Sequence, residues 1–391
     1  MKICVINTGG TISCHGQPLA PMKARDFAHA AHALLMPALA ARLPGLDLHF
    51  ATELHFSGPS GVLDSTDLQP GDCCLMAEHI IDNYTDFDGF LILHGTDTLD
   101  YSGAALPMLL NVADAQGGAR ALLSKPVILT GSQLPLFRDT PQGLVLNAGS
   151  DAFANLTGAL ACMELRLPEV AAFFDGKLFR ASRIVKVSTS SFDAFASPHL
   201  PPLAQVGLGI ALEAPALPVP PANLALDDRA ARALARDQLR AAMQGLEANP
   251  VALITAFPAP ESCLAGMIRA IIASGPRALV LLGHGEGNFP AGANGEVRQA
   301  LADARARGVQ IIAATRVIGG RTGAFHYAAG AWLPEIGAIS ARDMTPMAAL
   351  AKTAILLATA DHHGRSADQV GALIGRDLWG EMGADSGDAT G

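Results

Sequence analysis

The 391-residue sequence has few charged and few aromatic residues, and it has no long uninterrupted apolar segment. Charged residues make up 16% of the chain and aromatic residues 5%, while half of all residues are hydrophobic. No apolar stretch reaches about 18 residues without a polar break, which argues against a membrane-spanning helix. The formal net charge is −9, and no long run of like charges occurs. We therefore expect no nucleic-acid partner, because binding to phosphates needs clustered cations.

Cysteine is also scarce. Six cysteines with no CxxC pair do not suit a disulfide framework or a zinc ribbon, so we expect reduced, mostly buried thiols. The first residues are typical of a buried strand rather than a signal peptide, which predicts a cytoplasmic protein. The pairs His29 with His32 and His362 with His363 lack the further ligands of a metal site, so no metal is expected.

Short β-branched or aliphatic segments alternate with stretches of helical periodicity. This alternation predicts βαβ units around a mainly parallel sheet. The expected fold is α/β, with a larger N-terminal domain whose mainly parallel sheet is flanked by helices, and a smaller C-terminal α/β domain. The predicted strands cover residues 2–7, 47–52, 89–93, 126–130, 170–174, 251–256, 278–283 and 309–314.

A proline-rich segment separates the two sets of strands. Its prolines at 212–222 cannot join a sheet interior or continue a helix, so the chain is extended there. The last residues are small, polar and acidic, which is typical of a flexible end. We therefore predict an N-terminal domain at 1–211, a linker with a connecting helix at 212–250, a C-terminal domain at 251–378 and a flexible tail at 379–391.

Glycines and hydroxyl side chains follow three of the predicted strands, in Thr8-Gly9-Gly10-Thr11, His94-Gly95-Thr96-Asp97-Thr98 and Thr130-Gly131-Ser132-Gln133. Ligands of open parallel sheets bind beyond the carboxyl ends of the strands. Any one of these loops can simply close a turn, but three together favour a site. The G-x-G-x-x-G spacing, the Walker A lysine and the G-x-S-x-G elbow are missing, which disfavours dinucleotides, nucleoside triphosphates and a serine hydrolase.

Lys186 and His94 are the basic residues of interest near these hydroxyls. A threonine nucleophile needs a proton acceptor, and a desolvated lysine can serve. Lys186 lies in an apolar, hydroxyl-rich stretch at 183–190 that would bring Thr96 or Asp97 beside it. The alternative is an edge-strand lysine that extends to solvent. His94 opens the second motif, yet its place at the end of an apolar strand favours a structural imidazole over a base.

The first two motifs closely resemble the signature segments of bacterial L-asparaginases, the asparaginase/glutaminase family. The resemblance runs from about residue 2 to about 360 and looks most like the cytoplasmic type I branch. It implies hydrolysis of the side-chain amide of L-asparagine to L-aspartate and ammonia, with no metal or organic cofactor. Further matching segments lie at 63–67, 130–136, 192–198 and 285–290.

The resemblance also implies catalytic roles, position by position. Thr11 would be the nucleophile that attacks the amide carbon and forms an acyl-enzyme. Thr96 would activate the nucleophile or the hydrolytic water, and Asp97 would bind the substrate's α-ammonium. Lys186 would be the catalytic lysine, since it stands nine residues before Phe195, the spacing of the family.

Substrate binding and assembly are implied in the same way. Ser65, which follows Asp64, matches the serine that holds the α-carboxylate, so both residues are expected at the substrate. In this family the second domain of a neighbouring subunit completes the site, and its asparagine corresponds to Asn288. A homodimer or homotetramer with sites completed between subunits is therefore expected.

The chain departs from the family in the segment that follows the nucleophile. Family members usually carry a tyrosine about ten residues after the nucleophile, in a loop that closes over substrate, whereas residues 13–22 contain none. Alignment on Pro21 puts Leu19 there. Two alternatives to L-asparagine therefore stay open: hydrolysis of a different amide, such as glutamine, a D-amino-acid amide or a larger amidated metabolite, or a catalytically weak amino-acid-binding homologue. Retention of Thr11, Thr96, Asp97 and Lys186 together favours an enzyme.

Overall fold

The computed structural model describes residues 1–58, 60–323, 325 and 327–383. The chain forms two compact units: the first comprises Met1–Val112 and Ala119–Leu239, and the second comprises Ala113–Gly118 and the chain from Arg240 onward. The division falls inside the connecting segment expected at 212–250, and the bounds of the functional domains stay a prediction. The sequence contains no composition shift that would assign 113–118 to the second unit.

The first unit is built on an eight-stranded sheet. The strands are β1 (Lys2–Asn7), β2 (Asp47–Ala51), β3 (Gly89–Leu93), β4 (Val127–Thr130), β5 (Val170–Phe174), β6 (Lys177–Arg180), β7 (Ala204–Val206) and β8 (Ile210–Leu212). Their spatial order is β8-β7-β6-β5-β4-β3-β1-β2. Strands β1 to β5 are parallel, whereas β6 to β8 extend one edge in antiparallel pairs. The mainly parallel sheet is confirmed, and the antiparallel edge is an addition.

The central strands are apolar on both faces because helices cover both faces of the sheet. Every residue of β3 and all but the first of β1 are buried. On one face, Ile3, Val5 and Leu91 pack in a core with Phe27 and Leu156. The helices of the first unit include Ala24–Ala30, Met36–Ala40, Pro70–Asp82, Leu99–Leu110 and Ala152–Cys162, and Arg229–Gly245 follows the proline-rich segment.

The strand order decides where the three glycine- and hydroxyl-rich loops lie. β3 lies between β1 and β4 and is parallel to both. The loops that follow these strands therefore leave the sheet side by side at its carboxyl edge.

The second unit has its own four-stranded parallel sheet, with the strands in chain order. A threonine–proline pair begins one of its helices, because the Thr345 hydroxyl caps Pro346–Ala358 by accepting the Ala348 N–H at 3.1 Å. The strands are β9 (Val251–Thr255), β10 (Ala278–Gly283), β11 (Gln310–Thr315) and β12 (Ile339–Ser340), and the helices are Glu261–Ala273, Glu296–Ala306, Ala328–Glu335, Pro346–Ala358 and Ala367–Ile374.

The predicted flexible tail is wrong for residues 379–383. Trp379 and Met382 are buried, and the Glu381 carboxylate, 1% exposed, pairs with the fully buried Lys352 ammonium. These residues were expected to fray because of their composition, whereas burial and an ion pair anchor them. The rest of the predicted tail, 384–391, lies outside the described residues. Within the described part of the chain, no helix is long and apolar enough to cross a membrane.

Replacing Lys352 by methionine is expected to lower the free energy of unfolding by about 3–5 kcal/mol, because it leaves a buried carboxylate without its cation. Glu381 also accepts the N–H groups of Leu378 and Trp379 at 3.1 and 2.8 Å. Burial alone would raise the pKa of Glu381, but the Lys352 ammonium and the N–H groups of Trp379 and of Glu381 itself lower it. Urea denaturation would measure the loss. The double variant Lys352→Met/Glu381→Leu is the matched control and should recover most of the stability; a single variant as stable as the parent would contradict the prediction.

Candidate active site

The first loop is fixed against the third strand and the second loop by its backbone. Thr8 is buried, and both its N–H and its hydroxyl donate to the Leu93 carbonyl, at 2.9 and 3.1 Å. Gly10 has a φ of +72°, and a Cβ there would lie 2.2 Å from the Gly95 Cα. Only glycine fits this contact. The backbones of the two motifs are therefore in direct contact, and Thr8 stabilises the turn through its hydrogen bonds to Leu93.

Thr11 follows this contact and opens a single turn of 3-10 helix, Thr11–Ser13. Its side chain is half-buried. Among the described residues, none forms a hydrogen bond with the Thr11 hydroxyl. This hydroxyl is therefore available to a bound molecule.

Ser65 belongs to a third loop that packs on both motifs. Leu63 connects this loop to the first motif, because it donates to the Thr8 carbonyl at 2.6 Å and accepts the Gly10 N–H at 2.8 Å. The Ser65 hydroxyl accepts the Asp97 N–H at 3.3 Å, and its side chain is 4% exposed. Ser65 thus lies directly against the second motif, and its expected contact with the substrate's α-carboxylate stays a prediction.

Asp64 has a local structural contact. Its carboxylate accepts the N–H and the hydroxyl of Thr66, at 3.1 and 2.5 Å, and so caps the short helix Ser65–Asp67. The side chain is otherwise exposed. Its expected contact with substrate stays a prediction.

Lys186 joins Thr96 and Asp97. Its ammonium donates to the Thr96 hydroxyl at 2.7 Å and to the Asp97 carboxylate at 2.6 Å. The Lys186 side chain is 16% exposed and that of Asp97 is 53% exposed, while Thr96 is buried. Lys186 sits opposite Phe195 in a short antiparallel pair. Its ammonium therefore points at the second motif, which favours the catalytic alternative over a lysine that extends to solvent.

Asp100 is a further titratable group of this site that the sequence reading did not single out. It stands in the first turn of Leu99–Leu110, three residues after Asp97. Burial raises the pKa of Asp100 to about 6, an effect that the nearby Lys186 opposes and Asp97 reinforces. The Lys186 ammonium therefore interacts with the carboxyl groups of both Asp97 and Asp100. The signal in the sequence was the spacing of three between two acidic residues at a helix start.

Gln133 has a role that the sequence reading also missed. Its backbone N–H donates to the Asp151 carboxylate at 2.9 Å. Its side-chain amide donates to the carbonyls of Ser188 and Ser191, at 3.3 and 3.0 Å. Gln133 therefore holds the chain that leads away from Lys186.

The segment that lacks the family's tyrosine forms a small hairpin, in which Cys14–His15 pairs with Ala20–Pro21. The Gly16 N–H donates to the Asp139 carboxylate at 2.9 Å. Asp139 therefore contacts this hairpin. Leu19 is 58% exposed and lines a cavity of about 420 Å³ together with Phe137.

Asn288 belongs to the second unit, on the loop that follows β10. Its backbone exchanges two hydrogen bonds with His284, both of 2.8 Å. A Cβ on Gly330 would lie 2.6 Å from the Asn288 side-chain oxygen. The structure thus brings Thr96, Asp97 and Lys186 together, with Ser65 bonded to Asp97, whereas Asn288 stands in the other unit.

All six cysteines are free thiols, and five of them are buried. Within the described ranges, no three His, Cys, Asp or Glu side chains are grouped so that they could hold a metal ion. The side chains that the structure brings together at this site carry hydroxyl, carboxylate and ammonium groups.

Comparison with known proteins identifies the family. The asparaginase N-terminal family model matches residues 2–217, and the glutaminase/asparaginase C-terminal domain matches residues 251–368. The chain is 32% identical over 357 residues to L-asparaginase 1 of Escherichia coli K12, with 91% of each protein covered. The chain belongs to the asparaginase family.

Solved asparaginase structures share the fold over nearly the whole chain. L-asparaginase I of Vibrio cholerae is 30% identical with a TM-score of 0.71, and the match covers 98% of this chain and 99% of that one. The thermostable L-asparaginase of Thermococcus kodakarensis is 25% identical with a TM-score of 0.74, and the match covers 98% and 100%. The resemblance inferred from the motifs and the expected α/β fold are both confirmed.

Proposed function

We propose that this member of the asparaginase family hydrolyses the side-chain amide of L-asparagine to L-aspartate and ammonia. The observation that carries the proposal is the contact of one ammonium, that of Lys186, with both the Thr96 hydroxyl and the Asp97 carboxylate. The backbone contact of Gly10 with Gly95 supports a reaction between the two loops. A binding protein without chemistry would need neither the lysine nor a free threonine hydroxyl.

In the proposed reaction, Thr11 is the nucleophile. Its oxygen forms a bond to the amide carbon, and its proton passes through the Thr96 hydroxyl to Lys186, whose ammonium must first have released one proton to solvent. Donors near the tetrahedral oxyanion stabilise the developing charge. The carbon–nitrogen bond then breaks, the nitrogen takes up the proton held by Lys186 and leaves as ammonia, and an acyl-Thr11 ester remains. Water activated by Thr96 hydrolyses this ester and regenerates the Thr11 hydroxyl.

The proposed binding groups complement the two charged groups of the amino-acid substrate, its α-ammonium and its α-carboxylate. The exposed Asp97 carboxylate is proposed to bind the α-ammonium. Ser65 and the N–H groups of its loop are proposed to hold the α-carboxylate, and Asp64 is proposed to support this contact by capping the short helix that begins at Ser65. Asn288 of a neighbouring subunit is proposed to complete the site.

A second candidate is an amide other than L-asparagine. The absence of a tyrosine from the hairpin at 14–21 and the exposed, apolar Leu19 favour it, because an apolar hairpin tolerates a bulkier or less polar substrate. A coupled ammonia assay with L-asparagine, L-glutamine and their D-enantiomers separates these candidates. Highest kcat/KM for L-asparagine supports the first proposal, and highest kcat/KM for another amide supports the second. Amino-acid binding by calorimetry without ammonia release would leave only a binding homologue.

Leu19→Tyr is expected to raise kcat on L-asparagine, with little change in KM. A phenol near the nucleophile would act on the transition state, whereas Asp97 and Ser65 already bind the amino-acid head group. Leu19→Phe is the matched control, since it adds the ring without the hydroxyl and should bring no gain. Parent turnover of about 10 s⁻¹ or more, with no effect of Leu19→Tyr, would mean that another group does the work of the tyrosine.

The active form is proposed to be a homodimer or a homotetramer in the cytoplasm. Asn288 lies in the second unit, far in sequence from Thr11, which supports completion of the site by a neighbouring subunit. The free thiols of all six cysteines suit a reducing compartment. Sedimentation at assay concentration is expected to show at least a dimer. A fully active monomer would contradict the proposed assembly.

A further inference from the structure

We propose that His94 and Ser102 form a buried pair that orients the Gly95–Thr96 peptide, so that His94 is a positioning residue and not a base. The inference rests on the proposed function only for its effect on catalysis. The hydrogen bonds on which it depends belong to the fold and can be tested without substrate.

The contacts determine which ring nitrogen of His94 carries the proton. Nδ1 lies 2.7 Å from the Gly95 carbonyl oxygen, which can only accept, so Nδ1 is the donor. Nε2 lies 2.9 Å from the Ser102 hydroxyl. In a neutral imidazole the second nitrogen accepts, so the Ser102 hydroxyl donates to Nε2. The Cys73 sulfur, 3.5 Å from the Ser102 oxygen, adds a weak further contact.

The surroundings keep this imidazole neutral. His94 is 1% exposed and Ser102 is fully buried. Burial lowers the pKa of His94 to about 4, while the Gly95 carbonyl and the more distant Asp72 carboxylate act in the opposite direction. Both ring nitrogens are already bonded, and neither faces a hydroxyl of the first motif. His94 therefore has no free lone pair with which to accept a proton from Thr11.

The Gly95 carbonyl, to which the His94 ring donates, lies where the loops of the site converge. A Cβ on Gly95 would lie 2.4 Å from the Ser65 hydroxyl, and a Cβ on Gly131 would lie 2.3 Å from the His94 carbonyl. The Gly95 carbonyl belongs to the peptide that leads into Thr96. Rotation of this peptide would move the Thr96 hydroxyl away from Lys186, to which it is bonded at 2.7 Å. Loss of the His94 bond would therefore act on the catalytic contact.

The first test measures the tautomer directly. ¹⁵N NMR of the histidine side chains, with His94 assigned by comparison with His94→Gln, is expected to show a neutral ring protonated at Nδ1 between pH 6 and 8. Ser102→Ala removes the donor to Nε2 but leaves the Gly95 carbonyl in place, so the ring should stay protonated at Nδ1 while the Nε2 resonance shifts because its hydrogen bond is lost. Cys73→Ala, which leaves the Ser102 bond to His94 intact, is the matched control and should show no such shift. A parent ring protonated at Nε2, or charged in this pH range, would overturn the inference.

The second test compares two amide side chains at position 94. The amide nitrogen of asparagine can occupy the place of Nδ1 and still donate to the Gly95 carbonyl, whereas the amide of glutamine reaches the place of Nε2. If His94 positions the Gly95–Thr96 peptide, His94→Asn should retain at least about tenfold more kcat than His94→Gln. The reason is that glutamine leaves the buried Gly95 carbonyl without its donor, which is costly. The KM values should stay within about twofold of the parent.

The other outcomes of this comparison count against the inference. A pure packing role would favour glutamine, because asparagine leaves the larger cavity, and a base would leave both variants equally inactive. The ratio is measured on whichever amide the parent enzyme hydrolyses. If the parent hydrolyses none, the proposed function fails, while the NMR measurement still tests the tautomer and the hydrogen bond from Ser102 to Nε2.

Discussion

Replacing Thr11 by alanine is expected to abolish ammonia release while the fold stays intact. The Thr11 side chain is half-buried in a one-turn helix, and none of the described residues forms a hydrogen bond with its hydroxyl. Its removal therefore leaves no core cavity and no unpaired partner. If the hydroxyl is the nucleophile, no covalent intermediate can form without it. The coupled ammonia assay measures the loss, and circular dichroism verifies the fold.

Thr11→Ser is the matched control for this experiment, since it keeps a hydroxyl at the same position and should retain measurable turnover. Mass spectrometry during turnover provides a second readout. The parent chain is expected to accumulate or transiently carry an acyl group, and Thr11→Ala should carry none. Turnover of Thr11→Ala within about tenfold of the parent would remove Thr11 as nucleophile.

Lys186→Met is expected to reduce kcat by about a hundredfold or more, the range of general acid–base catalysis. Methionine keeps much of the length and apolar volume of lysine but has no group that can hold or give up a proton. The variant loses both contacts of the ammonium, with the Thr96 hydroxyl and with the Asp97 carboxylate. Because Asp97 is half exposed, water can solvate it after the substitution. The loss should therefore fall on kcat more than on KM.

The pH–rate profile distinguishes proton transfer from loss of an ion pair. Removing Lys186 should eliminate the limb of the profile that depends on this amine. Lys177→Met is the matched control, because Lys177 lies in the same unit but its ammonium pairs with Asp193 at 2.8 Å and not with Thr96 or Asp97. It should leave kcat and the profile unchanged. An unchanged profile in Lys186→Met would rule out proton transfer by this residue.

Local features of the site were predictable because local residue patterns control them. The strands Lys2–Asn7 and Gly89–Leu93 have the predicted bounds, since continuous apolar segments ending in glycine and threonine specify buried strands and turns at short range. Gly9 and Gly10 have φ values of +119° and +72°, which a Gly-Gly pair allows. The spacing of nine between Lys186 and Phe195 corresponds to their pairing across a short antiparallel bridge.

The sequence by itself thus determined the α/β class, the eight predicted strands and the loops that carry the hydroxyls. Only the tertiary structure decided which side chains meet. Lys186 contacts Thr96 from 90 positions away, and Gly16 contacts Asp139 from 123 positions away, because strand order and packing bring distant segments together. Burial of the 379–383 segment and the raised pKa of Asp100 have the same origin. A residue's own neighbours in sequence specify its backbone, whereas its partners and its desolvation depend on segments whose positions no local pattern encodes.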